Sequence, residues 1–241
     1  MPSKIYIGTA GWSVPRAEQR RFPPGESHLA RYARALPAVE INSTFYRPHR
    51  ASTFERWAAS VPRAFRFAVK VPSTITHDQR LTSSAALLKR FLADLAPLGA
   101  RLGCLLVQLP PQLPRDDARL EFFLACLPEW VPVAVEFRHP SWMHDEVFDL
   151  LTRHRAAYCV MSGAGLPCVL RSTAAFVYVR MHGPDAHLLY GGSYSDADLC
   201  WWADRVREWT AMSRDVYVYF NNDGDGNAVR NADRLRALIG A

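Results

Sequence analysis

Residues 39–46 read VEINSTFY, an apolar strand that runs straight into a cluster of polar and aromatic groups. A strand turns successive side chains to opposite faces, so Val39 and Ile41 share one face while Glu40 and Asn42 share the other. One face suits a core and the other suits chemistry. The same plan returns at 134–138 (AVEFR), where Glu136 and Arg138 share a face, and at 177–182 (VYVRMH), where Arg180 and His182 do. This repetition marks where a site would lie without saying what it turns over.

Working outward, the other segments alternate strand with helix. Residues 5–7 predict a first strand, followed by a turn through Gly8, Thr9, Gly11 and Trp12, and a helix over 26–36. After the strand at 38–42 and a loop, Ser52 or Thr53 is expected to cap a helix that carries Phe54, Trp57 and Ala58 and stops before Pro62. In the strand at 66–71, Phe67, Val69 and Val71 face one way and Ala68 and Lys70 the other, until Pro72 ends it. A helix over 84–98 precedes the strand at 102–109, nearly all apolar as buried parallel strands are, which closes on Gln108 and two prolines. Helix 117–127, strand 132–137, helix 144–154 and strand 157–161 follow. Residues 162–175 hold two glycines, a proline and no amphipathic period, so this crossover is expected to be a loop with at most one helical turn. Strand 176–181, a Gly-containing loop, a helix capped by Ser195 with Asp198 and running through Trp209, strand 216–220 and helix 229–239 complete the chain.

Eight strands alternating with seven or eight helices predict an α/β fold of the (β/α)8 TIM-barrel type, with the sixth crossover helix short or absent. An open doubly wound sheet is the competing architecture. It usually carries a Gly-rich phosphate turn after the first strand, and 8–11 is too short for one. With 241 residues, 49% of them hydrophobic, residues 1–241 are expected to form a single domain with a large core. The N-terminal MPSKIYIGTAGW lacks the apolar run of a secretion signal, and no window approaches the roughly 18 apolar residues of a membrane span. A cytoplasmic protein with no membrane partner is the expectation. Five cysteines without a CxxC pair argue against both a disulfide framework and a zinc site. A net charge of +6 favours anionic partners, nucleic acid among them, although the arginines are spread along the chain rather than gathered in one run.

Seven ordered motifs carry a resemblance over nearly the whole length: IGTAGW at 7–12, VEINSTFY at 39–46, FAVKVPSTITH at 67–77, LVQLPP at 106–111, VEFRHPSW at 135–142, VRMHG at 179–183 and YFNNDGDGNAVRN at 219–231. With them the chain resembles the YecE-like family, a domain family of unknown function whose members are TIM barrels. The resemblance implies the barrel and brings no particular reaction. The pattern departs at 13–24, where the tyrosine and tryptophan expected after Gly11-Trp12 are missing.

In such barrels the C-terminal strand ends form the active face. Here those ends carry Glu40, Asn42, Lys70, Gln108, Glu136, Arg138, Arg180, His182, Asn221 and Asn222. Acid–base chemistry would use Glu40 or Glu136 as base and His182 as acid, with Lys70 as the fourth catalytic candidate. Asn42, Tyr46, Gln108, Arg138, Trp142, Arg180, Tyr190, Asn221, Asn222 and Asn231 are the substrate-binding candidates. A purely structural reading stands beside this one, in which the two glutamates only balance Lys70, Arg138 and Arg180. Glu40, Glu136 and His182 could in principle hold a metal, but there is no HxH or HExxH pattern; no metal site is assigned, and the cofactor is left open. NNDGDG at 221–226 lacks the closing Glu of a calcium loop and predicts a tight turn into the last helix. Trp12, Phe45, Tyr46, Trp142, Tyr190 and Tyr194 lie in strand-to-helix loops, where they could stack on a ligand or pack as a lid. Phe122, Phe123, Trp201, Trp202 and Trp209 lie at helical spacing and are expected in the core.

The resulting expectation is an enzyme, with hydrolysis as one chemistry, acting on a small phosphorylated or anionic substrate that could be a nucleic acid component. The alternative is a non-catalytic anion or nucleic-acid binding protein. The anion is expected near the loops after strands seven and eight, held by the Arg180 fork and by backbone N–H groups around Gly183, Gly191 and Gly192.

Overall fold

Branched and aromatic residues build eight strands, β1 (Ile5–Ala10), β2 (Ala38–Ile41), β3 (Arg66–Lys70), β4 (Leu102–Gln108), β5 (Val133–Glu136), β6 (Ala157–Ser162), β7 (Phe176–Met181) and β8 (Asp215–Phe220). In the computed structural model, which describes residues 3–163 and 165–240, they close into a parallel barrel in the order β1 to β8. The helices are α1 (His28–Ala35), α2 (Ser43–Tyr46), α3 (Ala51–Ala59), α4 (Ala85–Leu95), α5 (Asp117–Ala125), α6 (Asp145–Arg153), α7 (Asp196–Ala211) and α8 (Asn227–Ile239). Among the described residues no helix stands between β6 and β7, as the glycines and proline there predict. The α/β barrel expected from the sequence is therefore the fold.

The chain divides into two compact units. One comprises the described residues up to Glu40, Val160–Leu170 and those from Ala175 onward; the other comprises Ile41–Cys159 with Arg171–Ala174. In the first unit β1 pairs with β8 from Ile5↔Val216 to Thr9↔Phe220, and β7 pairs with β8 from Phe176↔Asp215 to Met181↔Phe220. On its other edge β1 pairs with β2, Gly8 opposite Ala38. A Cβ on Gly8 would stand 1.9 Å from the Ala38 carbonyl oxygen, so only glycine permits this approach. Buried Tyr32 of α1 locks the place, its hydroxyl donating to Ala38 O (3.0 Å) and accepting from Thr9 N (2.8 Å). The expected Ser195–Asp198 capping box opens α7.

In the second unit β3 pairs with β4, β4 with β5 and β5 with β6. The β4–β5 register sets Gln108 opposite Glu136, so the two side chains leave their strands side by side.

Several local expectations are corrected. Ser52 and Thr53 lie inside α3, whose N-cap is Arg50, because Thr53 N already bonds back to Arg50 O at 2.8 Å. The loop after β2 contains the one-turn helix α2, and the helix expected over 84–98 gives way at Ala96 to a tighter 3-10 segment ending at Arg101. Phe123, Trp202 and Trp209 are buried, but Phe122 is 64% and Trp201 42% exposed. Successive helix residues point about 100° apart, so each of these pairs can bury only one ring fully.

Candidate functional site

In the first unit the site is built on Glu40, fully buried at the end region of β2. Tyr178 and Arg180 of β7 are two residues apart and share a strand face. Both reach the same carboxylate. Arg180 closes a fork on it, Nε to Oε2 at 3.0 Å and Nη2 to Oε1 at 2.7 Å, and the Tyr178 hydroxyl donates to Oε2 at 2.7 Å. Arg180 is itself only 1% exposed, so this is a buried ion pair with bidentate geometry. Below it the Tyr178 ring packs on Tyr219 and Tyr217, at centroid distances of 5.2 and 6.3 Å.

Asp223, two residues past His182's neighbour Asn221 in the loop after β8, feels this pair. As a residue it is exposed, yet its carboxyl lies against enough protein that burial, and after it the Glu40 charge, push its pKa up to about 6, while Arg180 pulls the other way. His182 is fully buried, with Nδ1 3.3 Å from Asn221 Nδ2 and its ring edge-to-face with Tyr190 at 5.3 Å. Tyr190 is half-exposed and has a φ of 72°. Asn222 and Asn231 are buried together: Asn222 Nδ2 donates to Asn231 Oδ1 (2.9 Å) and Gly192 O (3.0 Å), and Asn231 Oδ1 also accepts Tyr194 N. Asn231 thus binds loop backbone. The 224–226 segment is the expected tight turn, with Gly226 in the left-handed region starting α8.

The anion site expected after β7 is not built as predicted. Arg180's fork is closed on Glu40, Gly183 N donates to the Tyr194 hydroxyl (3.0 Å), and Gly191 N donates to Leu188 O (2.9 Å). Tyr194 in turn donates to Ser162 Oγ at 3.0 Å, and burial pushes its hydroxyl up to about 12. The adjoining cavity of about 360 Å³ is lined by Asp185 and Asp198 and no basic residue. Its charge opposes an anion.

The second unit holds two clusters of its own. Glu136, also fully buried, receives Gln108 Nε2 at 2.8 Å and Arg138 Nε at 2.5 Å, both on Oε1, and the Cys159 thiol at 3.8 Å on Oε2. Lys70, 7% exposed at the end of β3, sets its ammonium 4.0 Å above the centre of the Phe45 ring. His77 packs edge-on against that ring at 4.8 Å, and burial, followed by the Lys70 charge, lowers its pKa. Thr44 donates to Lys70 O at 2.6 Å, which ties α2 to β3. Asn42 is half-buried, with Oδ1 making no hydrogen bond among the described residues, and Tyr46 is 79% exposed beside a cavity of about 270 Å³ that Arg47, His49, Arg90 and Asp94 also line.

Trp142 is packed rather than offered: it is buried, stacks on Phe137 at 4.8 Å, and donates its indole N–H to Leu113 O at 2.9 Å. Among the described residues no group of three His, Cys, Asp or Glu is placed to hold a metal, and no helix is long and apolar enough to cross a membrane. Sequence reasoning missed Tyr178, Cys159, His77 and Asp223. Tyr178 had a readable signal, since it shares a strand face with Arg180; the raised Asp223 carboxyl had none, since it depends on what packs around the loop.

Fold and site together define a parallel (β/α)8 barrel that ends its strands in buried, paired charges. The chain belongs to the family described as "Protein of unknown function DUF72", whose model matches residues 6–241. It is 28% identical over 269 residues to the UPF0759 protein YunF of Bacillus subtilis strain 168, covering 98% of this chain and 94% of that one. It is 36% identical over 139 residues to the UPF0759 protein YecE of Escherichia coli K12, covering 57% of this chain and 50% of YecE. A DUF72 family protein of Thermotoga maritima MSB8 superposes with a TM-score of 0.85 at 25% identity, over 99% of this chain and 100% of that one.

Proposed function

We propose that the chain is an enzyme that acts on a phosphorylated or otherwise anionic substrate by acid–base chemistry, hydrolysis being the reaction favoured, at the C-terminal ends of its barrel strands. The observation that carries this reading is Asp223, a carboxyl raised to about 6 beside the buried Glu40–Arg180 pair. A group with that pKa is ionised at neutral pH and basic enough to take a proton from water or a hydroxyl. Asp223 therefore replaces His182 as the leading proton carrier, with Glu40 as the charge that tunes it. Selection of an anion is supported in the other unit by Lys70, held at a strand end, and by the arginines around the Tyr46 cavity. The net charge of +6 agrees, and a nucleic acid component falls within this class.

Screening nucleotides and sugar phosphates by thermal shift, then assaying the compounds that bind for turnover, tests the reading. Asp223→Asn should abolish turnover and retain binding, and Lys70→Met should weaken binding. Turnover that survives Asp223→Asn unchanged would overturn the assignment. A second reading, a non-catalytic anion or nucleic-acid binding protein, is supported by the net charge of +6 and predicts binding without turnover.

A further inference from the structure

The segment after β1 forms a basic hollow within the first unit, and none of the strand-end charges lines it. A 3-10 turn over Arg16–Arg21 leads through Pro23, Pro24 and Gly25 into α1. Between turn and helix lies an open cavity of about 910 Å³, whose lining includes Arg16, Gln19, Arg20, Phe22 and Arg31 and contains no Asp or Glu.

The carboxylate within the turn itself, Glu18, is committed elsewhere. Glu18 is buried and receives Arg21 Nε and Arg230 Nη1, both at 2.5 Å, and this pairing holds its carboxyl below its ordinary pKa despite burial. Arg31 is anchored by neutral acceptors instead: Nε donates to Pro23 O (3.2 Å) and Nη2 to Gln19 O (3.0 Å) and Phe22 O (3.4 Å). Its stem lies against Gly25, where a Cβ would come within 2.9 Å of Arg31 Cγ. Carbonyls fix the guanidinium without cancelling its charge. Arg16 and Arg20 are exposed and make no ion pair among the described residues. Three positive charges therefore border one concavity with no counter-charge in its wall, which attracts anions and orients planar donors toward their oxygens.

We propose that this hollow is a second anion site, one that takes a small molecule carrying a diphosphate group. A concave volume of this size falls in the range of small-molecule sites, about 300–1,000 Å³, and a diphosphate offers oxygens to several guanidinium groups at once. The site goes beyond the strand-end reading and does not depend on it.

Inorganic pyrophosphate, titrated calorimetrically into the intact chain, is the probe, with a single-stranded oligonucleotide as a separate arm. Arg16→Ala/Arg20→Ala should fold normally by circular dichroism, because both side chains are exposed, and should bind pyrophosphate at least about tenfold more weakly with a shallower salt dependence. Lys70→Met should leave this binding intact. Absence of binding, or binding unaffected by the double substitution, overturns the proposal. Pyrophosphate binding lost in Lys70→Met but kept in the double variant would also overturn it, while supporting the strand-end reading. Oligonucleotide binding without pyrophosphate binding would overturn it in favour of a nucleic-acid surface.

Discussion

Glu40 and Glu136 are both fully buried carboxylates at strand ends, one in each unit, and they are held in different ways. Glu40 spreads three donors over both oxygens: Arg180 through two nitrogens and Tyr178 through its hydroxyl. Glu136 accepts Gln108 Nε2 and Arg138 Nε on Oε1, and the Cys159 thiol lies 3.8 Å from Oε2. The cations differ as well, since Arg180 is 1% exposed and the Arg138 side chain 9%. A bidentate pair sealed from water has the geometry of a fixed structural and electrostatic element. A pair whose cation reaches solvent can exchange partners with less loss, which is what a group in contact with a ligand needs.

Substitution should expose this contrast first. Glu40→Gln removes the carboxylate that buried Arg180 grips with two nitrogens and should cost about 3–5 kcal/mol of folding stability. Glu136→Gln takes a carboxylate from Arg138, whose side chain reaches solvent, and should cost about 1–3 kcal/mol. Urea unfolding of the two variants measures both. Equal costs would mean that the difference in cation burial carries no difference in role.

The charges behind this contrast were legible before any coordinates. Period-two alternation put Glu40, Lys70, Glu136 and Arg180 at strand ends, and in each case the end of an apolar run is where the charge appears. Pairing was partly legible: Glu136 and Arg138 stand two residues apart, whereas the partnership of Glu40 with Arg180 spans 140 positions and needs the chain path. Backbone use was not legible. Gly183 and Gly191 look like free amides in sequence, yet their N–H groups are taken by Tyr194 and Leu188. Trp142 could not be told from a stacking platform, because only its neighbours Phe137 and Leu113 decide that it is packing.

Tyr178→Phe sharpens the same comparison at smaller scale. It deletes one donor to Glu40 while preserving the ring packing on Tyr219 and Tyr217, and should cost about 1.5–3 kcal/mol, the worth of a hydrogen bond to a charged group. The cost should fall to about 0.5–1.5 kcal/mol, that of a neutral hydrogen bond to the amide oxygen, when Glu40 is already Gln and Arg180 is Met, a coupling read from the unfolding energies of the combined variants. An undiminished cost in that background would show that the hydroxyl serves something other than Glu40.

The smallest expected effect belongs to Asp223, where the two groups of the first unit's pair act on a third. Its carboxyl sits at about 6 in the folded chain against an ordinary 3.8, so between those values the folded state binds more protons than the unfolded one. Stability from this group is then fully present below about pH 4 and is lost as pH rises toward 6. Asp223→Asn, which cannot ionise, should match the parent at low pH and become more stable than it above pH 6. Because the residue is exposed and solvent screens its charge, the gain should be about 1 kcal/mol or less. Unfolding free energies of parent and variant compared from pH 4 to 7 give the curve directly, and a variant that loses stability at pH 7 would mean that the ionised carboxylate is held by a favourable contact. In Glu40→Gln the Asp223 titration, followed by NMR, should move downward, since the charge that raises it is gone while Arg180 remains. No movement would leave burial as the sole cause and remove Glu40 from any part in tuning the proton carrier.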